Sequence, residues 1–170
     1  MIERKQTDVM SQAMHLGLFM GLYETIKFIF SVSGGKDSIV SYFYLLMAVL
    51  TPVVAYFIVK HFKRKTIIPD IRFGQIYSFT VFLFLFSAMI VAIAQYIYMQ
   101  YINPVFLTQI TDASMDLMTQ LGKVDDYKDA IKAQGAITPI KYAIMNIYIN
   151  MLYGAIIGFP IALIVNKLKK

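Results

Sequence analysis

The feature that most constrains this chain is the length of its segments without charged side chains. Phe73–Thr111 contains 39 consecutive residues without Asp, Glu, Lys or Arg, and Ser38–Val59 and Tyr142–Asn166 contain 22 and 25. A fourth apolar stretch, Ala13–Ser33, is interrupted by only two charged residues. Because about 20 apolar residues cross the hydrocarbon core of a bilayer as a helix, each stretch is long enough to span a membrane.

The composition favours helices over a membrane barrel. Of the 170 residues, 58% are hydrophobic and 15% are charged, whereas soluble domains carry about 25% charged residues. Barrel strands are short and alternate in polarity, but these stretches are continuously apolar. The sequence predicts an all-α membrane protein, one domain over residues 1–170, with four transmembrane helices and an amphipathic extracytoplasmic helix between helices 3 and 4. The predicted spans cover about residues 13–33, 39–59, 76–102 and 140–165.

The segment between the third and fourth spans, about residues 105–134, is too polar to cross the bilayer. Phe106, Ile110 and Leu117 recur at helical spacing on one face, and Asp112 and Asp116 lie on the other. This pattern is typical of an amphipathic helix at the membrane interface or over the end of a bundle.

Positive charge predicts the orientation of the spans. With four spans, both chain termini and the second loop share one side, and most Lys and Arg residues belong to that side. Because Lys and Arg accumulate in cytoplasmic loops, we expect both termini in the cytoplasm. The second loop begins with a basic group that meets lipid head groups or a partner's cytosolic face: Lys60, Lys63, Arg64 and Lys65. Nucleic-acid binding is not expected of so short a loop at the membrane.

Small residues predict where helices approach closely. Gly17 and Gly21 form a G-x-x-x-G step on the first span, and Gly154 and Gly158 form another on the fourth. Such steps let two helix backbones come together. We expect the first and fourth helices to pack through these glycines.

The two charges inside the first span, Glu24 and Lys27, are the most unusual residues. A charge at the centre of a bilayer costs about 2.5–3.5 kcal/mol on insertion scales, so such residues face the bundle interior and pair. Glu24 and Lys27 could pair with each other, dock a charged partner helix, or form an ion, proton or head-group site. The expected hydrogen-bonding side chains for internal pairing are Gln95, Asn146 and Asn150.

Two further patterns suggest chemistry but are better explained by structure. Residues 33–38, SGGKDS, resemble the phosphate loop of ATP pyrophosphatases, but that fold needs a soluble parallel sheet, so a tight polar hairpin is expected. His15 and His61 are expected to lie far apart and lack a carboxylate neighbour for a metal site. The sequence contains no cysteine. We therefore expect no catalytic residue, no metal site and no cofactor.

Several segments are similar to a known family. These are Leu16–Ile26 (LGLFMGLYETI), Ile71–Phe79 (IRFGQIYSF) and Gln100–Pro104 (QYINP), with the glycine-rich fourth helix. Together they resemble an uncharacterised family of small four-helix inner-membrane proteins of Bacteroidota. The resemblance implies the bacterial cytoplasmic (inner) membrane. It also suggests an accessory role, because members are often encoded near a family-2 glycosyltransferase that uses polyprenyl phosphate. It assigns no catalytic residues.

The sequence thus favours a non-catalytic accessory or scaffold subunit over an enzyme. It would anchor or organise a membrane partner, such as a polyprenyl-phosphate glycosyltransferase, or a second copy of itself. The alternative is a small transporter or lipid flippase with Glu24 as its titratable group. Membrane lipid is an expected partner in either case, and nucleic acid is not.

Overall fold

The structure, a computed structural model, describes residues 2–34, 39–66, 71–135 and 137–168. This part of the chain is helical almost throughout and contains no strand. The helices are α1 (Ile2–Ser33), α2 (Ile39–Lys65), α3 (Phe73–Ile97), a π-helix (Tyr98–Ile102), α4 (Phe106–Gln120), α5 (Val124–Gln134) and α6 (Pro139–Lys167). The predicted all-α fold is confirmed.

Four helical segments in these described ranges are long and apolar enough to cross a membrane. They are Asp8–Ser33, Ile39–Lys65, Phe73–Ile102 and Pro139–Lys167. The segments coincide with the four predicted spans, so the chain has the helices of a multi-pass membrane protein. The third segment is the most enclosed, since half of its most apolar window is buried, against 17% to 22% in the other three.

On the side of the membrane that is rich in Lys and Arg, α1 and α2 are longer than the sequence predicted. Helix α1 begins at Ile2 rather than near residue 13, and α2 continues to Lys65 rather than ending near residue 59. The four residues predicted as a basic loop, Lys60, Lys63, Arg64 and Lys65, therefore form the last turns of α2. Straight-chain Lys and Arg are good helix formers, and cations stabilise the negative end of a helix, so the helix has no reason to stop at the first charge.

The chain divides into two compact units. The first comprises Met1–Ala92 with Asn146–Lys170, and the second comprises Ile93–Met145. In the first unit, α1, α2 and α6 all contribute to one apolar core with α3. Its buried residues include Val9, Ala13 and Met20 from α1, Ala55, Val59 and Phe62 from α2, Ile76, Phe79, Leu83 and Phe84 from α3, and Ile161, Ala162 and Val165 from α6.

The second unit contains the π-helix and the amphipathic pair α4 and α5. The ring of Tyr98 packs edge-on against Phe106, with centroids 5.3 Å apart. The predicted amphipathic segment is two helices, because the chain turns at Gly122, whose φ of +68° is a conformation that glycine adopts without strain. No residue of α4 is buried. The extracytoplasmic position of this segment stays a prediction.

Candidate functional site

The intramembrane charges of α1 form an ion pair within the chain. Glu24 is only 6% exposed, and its carboxylate contacts the ammonium group of Lys27 one turn further along α1. Thr51 of α2 lies beside both: its hydroxyl donates to Glu24 Oε1 and accepts from Lys27 Nζ, each over 3.3 Å. We call this group, which joins α1 to α2, the Glu24–Lys27–Thr51 cluster.

One backbone carbonyl of α2 next to this cluster contacts two side-chain hydroxyls. The carbonyl oxygen of Met47 accepts from the hydroxyl of Tyr23 on α1 and lies 3.1 Å from the hydroxyl of Thr51. Pro52 follows Thr51 inside the helix and has no N–H for the carbonyl of Ala48. Side chains from α1 and α2 thus make polar contacts with the Met47 carbonyl, one residue before the carbonyl that Pro52 leaves without its helical donor.

The arrangement neutralises charge inside the membrane. A carboxylate and an ammonium in contact have no net charge, and the threonine hydroxyl satisfies further lone pairs and protons of both groups. Removing one partner from such a buried pair leaves an uncompensated charge, which costs about 3–5 kcal/mol. The cluster is therefore suited to fix the register of α1 against α2.

Of the amide side chains predicted to bond this pair, those of Asn146 and Asn150 contact each other. Asn150 donates to the carbonyl oxygen of Asn146 over 2.9 Å, and its amide lies 3.3 Å from Asn146 Oδ1. Gln95 is buried, and its Oε1 has no hydrogen-bond partner among the described residues. The prediction missed Thr51, although Thr51 shares the small-residue face of α2 with Ala55 at helical spacing.

All four G-x-x-x-G glycines lie against α3. A Cβ at Gly17 would meet Phe86 at 2.8 Å, and one at Gly21 would meet Ile90 at 2.7 Å. On α6, a Cβ at Gly154 would meet Phe84 Cβ at 2.5 Å, and the nearest side chain to Gly158 is Thr80 at 3.1 Å. The predicted pairing of the first and fourth helices through these glycines is wrong. Both helices use their glycines to approach α3, whose bulky side chains fill the space that the glycines leave.

Lys63 joins the end of α2 to the end of α6. It is 8% exposed, and its ammonium donates to the carbonyl oxygens of Val165, Asn166 and Leu168 over 3.0, 2.9 and 2.6 Å. The last carbonyls of a helix have no partner within it, and they carry the negative end of its dipole. Lys63 therefore caps α6 and is not a loop residue exposed to a cytosolic partner, as the sequence suggested.

The other basic residues at this end of α2 point elsewhere. Lys60 lies over the ring of Tyr56, 5.7 Å from its centroid, and Arg64 and Lys65 are exposed.

The two histidines, expected to be far apart, line one groove of about 190 Å³ between α1 and α2. The described residues contain no group of three or more His, Cys, Asp or Glu that could hold a metal ion. Most of the SGGKDS segment predicted as a hairpin, positions 35–38, lies outside the described residues.

Comparison with known proteins gives one assignment. Neither the curated proteins nor the solved structures contain a match to this chain. A family model described as a protein of unknown function, DUF4199, matches residues 15–167. That range covers all four membrane-spanning segments except the first turns of α1, and with it the Glu24–Lys27–Thr51 cluster and the α6 cap. The chain belongs to the DUF4199 family.

Proposed function

We propose that the protein is a non-catalytic membrane subunit that anchors or organises a second membrane protein. The observation that carries this proposal is the exposure of the first half of α2. Five consecutive residues, Tyr42–Leu46, are all exposed, so they include every face of the helix. A membrane helix that uses so little of its surface inside its own bundle offers that surface to a neighbouring helix.

The polar groups of the bundle support the same proposal. Glu24 and Lys27 neutralise each other, and Lys63 is occupied by α6. A transport pathway needs polar groups that exchange partners with a passing ion or substrate, whereas these groups join helices. The partner would be a membrane protein with an apolar, aromatic helix face that matches Tyr42, Phe43 and Leu45.

Our proposed partner is a glycosyltransferase that uses polyprenyl phosphate, as the resemblance to the bacterial family implies. We place the protein in the bacterial cytoplasmic membrane, with both termini and the basic end of α2 in the cytoplasm. The side of the membrane that holds the termini and the second loop carries most of the Lys and Arg residues. A homo-oligomer is the competing assembly.

Site-specific photo-crosslinking in native membranes tests the proposal. A photoreactive residue at Leu45 of α2 is compared with one at Leu152 of α6, because both leucines are 59% exposed. We expect a discrete protein adduct at position 45 that mass spectrometry identifies as a polytopic sugar-transferring enzyme, and lipid adducts at position 152. A second copy of this chain at position 45, or lipid adducts alone at both positions, would contradict the proposal.

The second candidate function is a small transporter or lipid flippase. It is favoured by one observation, the burial of the Glu24 carboxylate within a membrane-spanning helix. Reconstituted vesicles separate the two functions. Glu24→Gln should leave ion and lipid fluxes at the wild-type level if the cluster joins helices. Loss of a flux from the correctly assembled variant would favour the transporter.

A further inference from the structure

The groove between α1 and α2 brings together both histidines of the chain. It is an open groove of about 190 Å³ at the end of the bundle where α1 starts and α2 finishes. We call it the histidine groove. Its lining residues are Gln12, His15 and Leu16 from α1 and His61, Phe62 and Lys65 from α2.

The polar groups of the histidine groove suit an anion. The Nδ1 atom of His15 lies 2.8 Å from the carbonyl oxygen of Ser11, and a carbonyl can only accept, so Nδ1 carries a proton. Nε2 is the other ring nitrogen, and it donates a hydrogen bond to an anion when the ring is protonated. Lys65 brings an ammonium group, and none of the described residues that line the groove carries a carboxylate. Asp8, two turns before His15 on the same face of α1, is the acidic residue that opposes an anion here.

Lys65 lines the histidine groove, whereas the other basic side chains at the end of α2 have other neighbours. Lys63 is buried against the carbonyls that end α6, and Lys60 lies over Tyr56. Arg64 borders a different pocket, with Lys60 and Lys63. Of the four basic residues at this end of α2, Lys65 therefore lines the histidine groove. Its neighbour Arg64 lines the other pocket and serves as a control of the same charge.

Two apolar stripes continue from the polar end of the groove towards the middle of the membrane segments. Residues at i, i+4, i+7 and i+11 share a helix face, so one stripe extends from His15 along α1 and the other from His61 back along α2. Most of the large side chains of these stripes lie outside the buried core, although Val54 of the α2 stripe packs against it. Their exposed members are Phe19, Leu22 and Ile26 on α1 and Leu46, Leu50 and Phe57 on α2.

The geometry points to a binding site for an anionic phospholipid, with its phosphate at His15, His61 and Lys65 and its hydrocarbon along the two stripes. A soluble phosphate would use the polar end alone, whereas a lipid fills both parts of the groove. Anionic lipids also concentrate near basic segments at a membrane surface. The inference does not rest on the partner protein proposed above, although the α2 stripe ends at Leu46, within the exposed segment proposed to meet that partner.

Native mass spectrometry of the full-length protein in detergent tests this inference. Phosphatidylglycerol is titrated against the wild type, Lys65→Ala, His61→Ala and the control Arg64→Ala. One basic residue near a membrane surface changes affinity about fivefold. We expect Lys65→Ala to bind phosphatidylglycerol about fivefold more weakly than the wild type, and Arg64→Ala to bind as the wild type does. His61→Ala, which keeps the charge of Lys65, should also bind more weakly.

Three results would overturn the inference. Equal losses in Lys65→Ala and Arg64→Ala would mean that lipid responds to general charge rather than to the groove. Equally tight binding of phosphatidylcholine, which has no net charge, and phosphatidylglycerol would show that the site does not select an anionic lipid. Inorganic phosphate that binds as tightly as phosphatidylglycerol would show that the hydrocarbon stripes contribute nothing.

Discussion

The pairing of Glu24 with Lys27 makes a quantitative prediction about the stability of the bundle. Lys27→Met removes the ammonium and leaves the carboxylate, 6% exposed, with the hydroxyl of Thr51. An uncompensated buried charge costs about 3–5 kcal/mol, and because the Lys27 side chain is 18% exposed, we expect the lower end, about 3 kcal/mol. Glu24→Gln keeps an acceptor for Thr51 and leaves the more exposed charge, so we expect a loss of about 1–2 kcal/mol.

The double variant Glu24→Gln/Lys27→Met isolates the interaction between the two side chains. With both charges absent, no ion is left unpaired in the membrane, and we expect the double variant to lose about 1–2 kcal/mol in total. The coupling energy of the cycle is then about 3 kcal/mol. Reversible unfolding in lipid bicelles measures all four proteins. Single losses that add to the double loss within about 0.5 kcal/mol would refute the ion pair.

Three other contacts give predictions that the same unfolding assay checks. Gly154→Ala should cost about 1–3 kcal/mol because its Cβ overlaps a phenylalanine of α3, whereas Gly74→Ala, which meets nothing within 4 Å, should be neutral or stabilising. Lys63→Met should cost about 1–3 kcal/mol because three carbonyls at the end of α6 and just after it lose their donor, and Arg64→Met, at an exposed site, should cost little. Thr51→Val should cost about 1 kcal/mol through the hydrogen bond lost to the carboxylate. Equal effects of a variant and its control would contradict the corresponding contact, as would a neutral Thr51→Val.

The spans could be predicted from the sequence because the bilayer imposes one simple requirement. A helix across it needs about 20 residues without charge, and the four apolar stretches meet that requirement with little ambiguity. The end of α2 could not be predicted in this way. The run from Lys60 to Lys65 is hydrophilic, so hydropathy stops at residue 59, but nothing in the backbone stops the helix there.

Which helix packs against which was harder to predict than the helices themselves. The glycines of α1 and α6 marked surfaces of close approach, but a small residue does not say which helix fills the space beside it. Lys63 looked like its neighbours Arg64 and Lys65 in the sequence. Its distinction is that it follows Val59 by four residues and so shares the buried face of α2, which directs its ammonium towards the end of α6.

The most direct test of the central claim, four membrane spans within one chain, is cysteine accessibility in intact cells. The native chain has no cysteine, so each introduced thiol reports one position. We predict that a membrane-impermeant maleimide labels Lys123→Cys from outside the cytoplasm, labels Arg64→Cys only after the membrane is opened, and does not label Leu152→Cys. Ready labelling of Leu152→Cys in the intact membrane, or labelling of Lys123→Cys and Arg64→Cys from the same side, would contradict the account.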